Sequence, residues 1–209
     1  MARYPVRERL AHWFSQGGHP RRPALTPERA DAAERWISAS HPRPERLAAE
    51  WQRPPRNTAL VPAGCGWDAV AVPCTLAAAA VDELTAEQRA DLEGVPLLCD
   101  LDCQLVYIPV ALGSADRWGD PAVTVLSRDD WLVMPHPRHP PAGHRALWLS
   151  LPDGSGRLAD VRVLRLAVAQ ARARQRAARP LVHTAPRAYV PRGPVPPQRT
   201  AGCGELGYR

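Results

Sequence analysis

The chain has 209 residues, a formal net charge of +6 and 45% hydrophobic residues, enough apolar side chains for a core in one domain with flanking segments or in two small domains. All 27 basic residues are arginine and none is lysine, so arginine richness follows from composition as readily as from a polyanionic partner. No uncharged apolar stretch approaches the roughly 20 residues of a membrane span. The first residues lead into no apolar leader segment, so a cytoplasmic protein is expected. Its five cysteines, Cys65, Cys74, Cys99, Cys103 and Cys203, are then expected to be reduced.

Pro5 to Gln16 reads as a helix, with Val6, Leu10 and Trp13 on one face and Gly17–Gly18 as its stop. A linker, His19 to Pro23, follows. Thr26 is placed to cap a second helix with Pro27 at its first position and Ala30, Ala33 and Ile37 at helical spacing. His41 to Pro44 breaks it. A short helix then carries Leu47 and Trp51 four residues apart.

From there the pattern turns to strands. Thr58–Val61 and Trp67–Val72 are joined by a Gly-rich turn, and an Ala-rich helix follows from Thr75 to Leu84. Further strands are expected over Leu105–Val110, Ala122–Leu126, Trp131–Met134 and Ala146–Leu149. The longest helix runs from Leu158 to Ala178, burying Leu164, Val168 and Ala171. From Pro180 the chain is rich in Pro, Arg and Gly without periodicity and reads as a flexible tail. The expected organisation is residues 1–23 as an N-terminal helix and linker, 24–179 as an α+β domain, and 180–209 as the tail. A mixed or antiparallel sheet flanked by helices is expected, rather than a regular βαβ array.

Several groups of residues suggest chemistry. Val95 to Cys103 is an apolar run ending in Asp100–Leu101–Asp102. On a strand the i, i+2 spacing puts both carboxylates on one face, as a two-metal nucleotidyl-transfer site requires. The alternative is a polar turn, because Asp side chains bond nearby backbone amides. His136, His139 and His144 lie in a Pro-broken segment, read as a solvent-exposed loop rather than a rigid metal site. Arg165, Arg172, Arg176 and Arg179 share a sector of the long helix. They read either as a nucleic-acid-binding face tracking phosphates or as a solvated surface. Cys99 and Cys103 lack a second cysteine pair at zinc-ligand spacing. Ser114, Ser127 and Ser150 lack a GxSxG context, and no Lys follows the glycines near residue 64, so neither a hydrolase elbow nor a phosphate loop is present.

Three segments together resemble the bifunctional DNA primase/polymerase N-terminal domain of the archaeo-eukaryotic primase superfamily, most of all its short stand-alone actinobacterial versions. They are Pro44–Trp51 with Asn57–Gly64, Leu97–Pro109 with Val106–Tyr107–Ile108, and Val123–Pro137. The resemblance spans residues 27–152 in the family's order. It implies a primase/polymerase-like fold, a place in DNA replication, and a metal-dependent site. The family's first motif, Asp-x-Asp, falls on Ala71 and Pro73. Its His falls on Leu105, and its later Asp and Arg fall on Thr124 and Leu126. Each matched polar position is replaced, so the resemblance implies the fold without the activity, and no metal or other cofactor. The expected function is a degenerate binding or regulatory module, with weak nucleotide or nucleic-acid affinity or a protein partner, and no membrane. Two alternatives stand: an active primase-polymerase using Mg²⁺ or Mn²⁺ at Asp100 and Asp102, and a protein-interaction module with no nucleic-acid role.

Overall fold

The computed structural model describes residues 26–53, 57–92, 94–114, 118–139 and 146–178. The chain divides into two units, residues 1–178 and 179–209, and the description concerns the first. The expected helix over Pro5–Gln16, the linker to Pro23, His144, Arg179 and the expected tail lie outside the described residues.

Helix α1 (Pro27–Ala39) starts where the sequence places it. The Thr26 hydroxyl accepts from the Arg29 amide at 3.3 Å, and Pro27 needs no donor at the first position. Helix α2 (Pro44–Trp51) buries Leu47 and Trp51, its i, i+4 pair. Strands β1 (Thr58–Pro62) and β2 (Asp68–Pro73) follow, then α3 (Cys74–Glu83). A further helix, α4 (Ala86–Asp91), was not expected. Its signal is the capping box of Thr85 and Gln88, in which each side chain bonds the other's backbone amide at 3.2 and 2.9 Å. Strands β3 (Leu97–Asp100), β4 (Leu105–Val110), β5 (Thr124–Leu126), β6 (Trp131–Pro135) and β7 (Ala146–Ser150) lead to α5 (Val161–Ala178). The last helix begins three residues later than Leu158 because Asp160 caps it, accepting from the Arg162 amide at 2.7 Å.

The strands form two antiparallel sheets, one ordered β5-β2-β4-β3-β7 and one pairing β1 with β6. The fold is therefore α+β with antiparallel pairing, as the sequence implies. Consecutive strands β1 and β2 nevertheless belong to different sheets, as do β5 and β6.

Both faces of the large sheet are covered, and side chains alternate between them. Val70, Val72, Leu97, Cys99, Val106, Ile108 and Leu149 pack with α3 and α5. Ala69, Leu98 and Trp148 pack on the other side with α1, α2 and the small sheet. Three buried indoles on that side find acceptors: Trp51 on the Met134 carbonyl at 3.2 Å, Trp67 on Ser40 Oγ at 2.9 Å and Trp148 on the Pro135 carbonyl at 3.0 Å. Trp67 also stacks on Trp36 with ring centroids 5.7 Å apart.

Candidate functional site

Two cross-strand rows define one end of the large sheet. Thr124, Ala71, Tyr107, Leu98 and Trp148 are neighbours across β5, β2, β4, β3 and β7. Pro73, Leu105, Asp100 and Ala146 form the next row. The period-2 alternation puts both rows on the face shared by Leu98 and Trp148. Ala71, Pro73, Leu105 and Thr124 therefore lie together on three adjacent strands, and Leu126, opposite Ala69, faces the same way. These are the five positions that the resemblance selects. They carry two aliphatic leucines, an alanine, a proline and a single hydroxyl. Asp100 sits on the same face, beside Leu105.

Asp100 is the last residue of β3, and residues 101–104 form a turn. Its Oδ1 accepts from the amides of Asp102 and Cys103 at 2.9 and 3.0 Å. This is the side-chain-to-backbone bonding that favours Asp in turns. The strand placement that would align Asp100 with Asp102 does not occur, since Asp102 lies in the turn and is exposed. Among the described residues no group of three or more His, Cys, Asp or Glu side chains can hold a metal ion. Asp100 affects its immediate neighbours. Burial, and then Asp100, push Tyr107 up to about 12. Asp100 also lifts the exposed Cys103 thiol above its ordinary value.

The arginines of α5 divide into two groups. Arg172 pairs with Asp120, whose carboxyl is held below the usual range chiefly by that hydrogen bond. Arg174 Nε meets Glu83 Oε1 at 3.0 Å. Arg162, Arg165 and Arg176 are exposed. Of the expected sector, Arg165 and Arg176 thus face solvent, Arg172 is engaged by Asp120, and Arg179 lies outside the described residues.

In the histidine segment His139 is exposed, as expected of a solvent-exposed loop, but His136 departs from that expectation. His136 is half-buried, its ring set edge-on to Trp51 with centroids 5.0 Å apart. Its Nδ1 accepts from the Arg138 amide at 3.0 Å, and Nε2 lies 3.8 Å from Glu34 Oε1. Arg138 Nε donates to the same Glu34 oxygen at 2.8 Å, and its NH2 group also meets Asp31. Asp31 and Glu34, three apart on α1, are partners that the histidine segment's own residues do not reveal; their i, i+3 spacing is the signal in the sequence.

Burial is the first cause that lowers the His136 pKa below 6.5. The unfolded ring then binds protons more readily than the native one, so stability rises with pH. The expected result is a denaturation midpoint that falls as pH drops from about 7 to about 5. H136N, which retains an acceptor for the Arg138 amide, should flatten that fall. An unchanged pH profile in H136N would refute this assignment.

No protein-family model matches the chain, and neither a curated protein nor a solved structure matches it.

Proposed function

We propose that the chain is a primase/polymerase-like domain without nucleotidyl-transfer chemistry, acting in the cytoplasm as a module that binds nucleic acid through exposed arginines of α5. The observation that carries this reading is the one-faced cluster of Ala71, Pro73, Leu105, Thr124 and Leu126. Phosphoryl transfer needs cations that neutralise the triphosphate and activate the attacking oxygen. Carboxylate oxygens hold such cations, and this cluster offers none. Asp100 alone, with one oxygen already bonded to two amides, does not replace them. The net charge of +6 and the exposed Arg165 and Arg176 favour a polyanion as partner. No described helix is long and apolar enough to cross a membrane.

The test has two arms. Protein incubated with labelled nucleotide, primed and unprimed template, and Mg²⁺ or Mn²⁺ should give no template-dependent product. Incorporation that disappears in D100A would overturn the proposal in favour of a metal site at Asp100 and Asp102. In the second arm, short DNA is titrated at two salt concentrations. Affinity should fall steeply with salt, and the double variant R165A/R176A should reduce the logarithmic salt slope by roughly two. Absence of binding even at low salt would replace a nucleic-acid partner with a protein one.

A further inference from the structure

Two thiols lie against each other on the far side of the sheet from the candidate face. Cys74 opens α3, directly after Pro73, and Cys99 lies on β3, directly before Asp100. Their sulfurs are 3.8 Å apart, and the residues are 1% and 0% exposed. Both belong to the core between the sheet and helices α3 and α5. A disulfide needs sulfurs at about 2.05 Å, so closure requires an approach of roughly 1.8 Å, the scale of a small side-chain and backbone adjustment. Position also gives the two thiols different roles. The amino end of the ten-residue α3 favours a thiolate at Cys74. Cys99 can donate its S–H to that sulfur.

We propose that Cys74 and Cys99 form a redox-responsive dithiol that closes to an intrachain disulfide with a low-molecular-weight disulfide as oxidant. The Cys74 thiolate attacks one sulfur of the oxidant, forming a mixed disulfide and releasing the first small thiolate. The Cys99 sulfur, its proton passing to solvent, then attacks Cys74 Sγ and expels the second. Both cysteine sulfurs are oxidised, and the oxidant is reduced to two small thiols. Burial makes the reaction wait for local opening. The turn that follows Cys99 and Asp100, exposed at residues 102–104, is where such opening is least costly. Closure would tie the end of β2 to β3, between Pro73 and Asp100, and so couple thiol redox state to the candidate face. A reducing compartment keeps the pair open until oxidant accumulates. This inference is independent of nucleic-acid binding.

The test uses the full chain with Cys65, Cys103 and Cys203 replaced by serine. It is incubated with glutathione disulfide, acid-quenched, unfolded and alkylated. Closure predicts a chain lighter by two hydrogens that resists alkylation until treated with dithiothreitol. Trypsin, cutting after Arg56, Arg89 and Arg117, should then leave fragments 57–89 and 90–117 joined. A chain that stays fully alkylatable, or that holds glutathione on one thiol without closing, would overturn the proposal. Should the variant fail to fold, the wild type oxidised in the same way is cut before Asp68, Asp100 and Asp102 instead. Those cuts separate Cys65 from Cys74 and Cys99 from Cys103. A Cys74–Cys99 link supports the proposal; links only among the other cysteines defeat it.

Discussion

Replacing Asp68 with alanine is expected to cost about 2–4 kcal/mol of folding free energy, among the larger effects of any single substitution here. Asp68 is fully buried at the start of β2. Its Oδ2 accepts from the Ser114 amide at 3.0 Å, and its Oδ1 from the Ser127 hydroxyl at 2.9 Å. One carboxylate thus anchors the chain after β4 and the chain after β5. Truncation removes both of these bonds, leaving the Ser114 amide only its 3.2 Å bond to the Ala111 carbonyl and the Ser127 hydroxyl without its buried acceptor. D68N keeps one acceptor oxygen and should lose roughly half as much. Urea denaturation of the three proteins checks the order. A D68A midpoint equal to that of wild type would show that water or neighbouring groups take over both bonds.

The second large effect is expected at Gly64. Its φ is +75°, and a Cβ there would lie 2.5 Å from the Arg128 amide nitrogen and 2.7 Å from Arg128 Cα. Both are backbone atoms, so no side-chain rotation relieves the overlap. G64A should lose about 2–4 kcal/mol, from the left-handed conformation plus the displaced turn. Gly113 is the control, with φ +74° and, among the described residues, no atom of a non-neighbouring residue within 4 Å of the position a Cβ would take. G113A should cost only about 1 kcal/mol, the conformational part alone. Equal losses in the two variants would show that the close approach of Arg128 contributes nothing.

Asp68 and Gly64 meet at one junction. The turn from β1 to β2 and the turn from β5 to β6 each carry the chain between the two sheets, and they touch where they cross. The Ala63 amide bonds the Asp130 carbonyl at 2.9 Å, Gly64 lies against Arg128, and Asp68 holds Ser127. Asp68 and Gly64 are therefore close enough for their substitutions to be non-additive.

Much of the secondary structure was legible in the residues themselves. Thr26–Pro27 fixed the start of α1 through a local hydrogen bond and a ring that needs no donor. The i, i+4 pair Leu47 and Trp51 reported burial directly. α4 was also local, written in Thr85 and Gln88, though its six residues bury no side chain and so leave no apolar period to follow. The end of β3 was harder. Asp100–Leu101–Asp102 has the spacing of a one-faced strand pair and the composition of a turn, and only the bonds from Asp100 to the next amides decide between them.

Sequence by itself determined the α+β class, the caps, most strand positions and the buried stripe of α5, because each depends on neighbours within about a turn of helix or a few strand residues. Tertiary structure alone decided which strands pair, that β1 and β2 part to separate sheets, and that Ala71, Pro73, Leu105, Thr124 and Leu126 share a face. It also assigned Arg172 to Asp120 and His136 to the side of α1. Those outcomes join residues tens of positions apart. They depend on competition among long-range contacts for the same buried surface, and local sequence does not encode the winner.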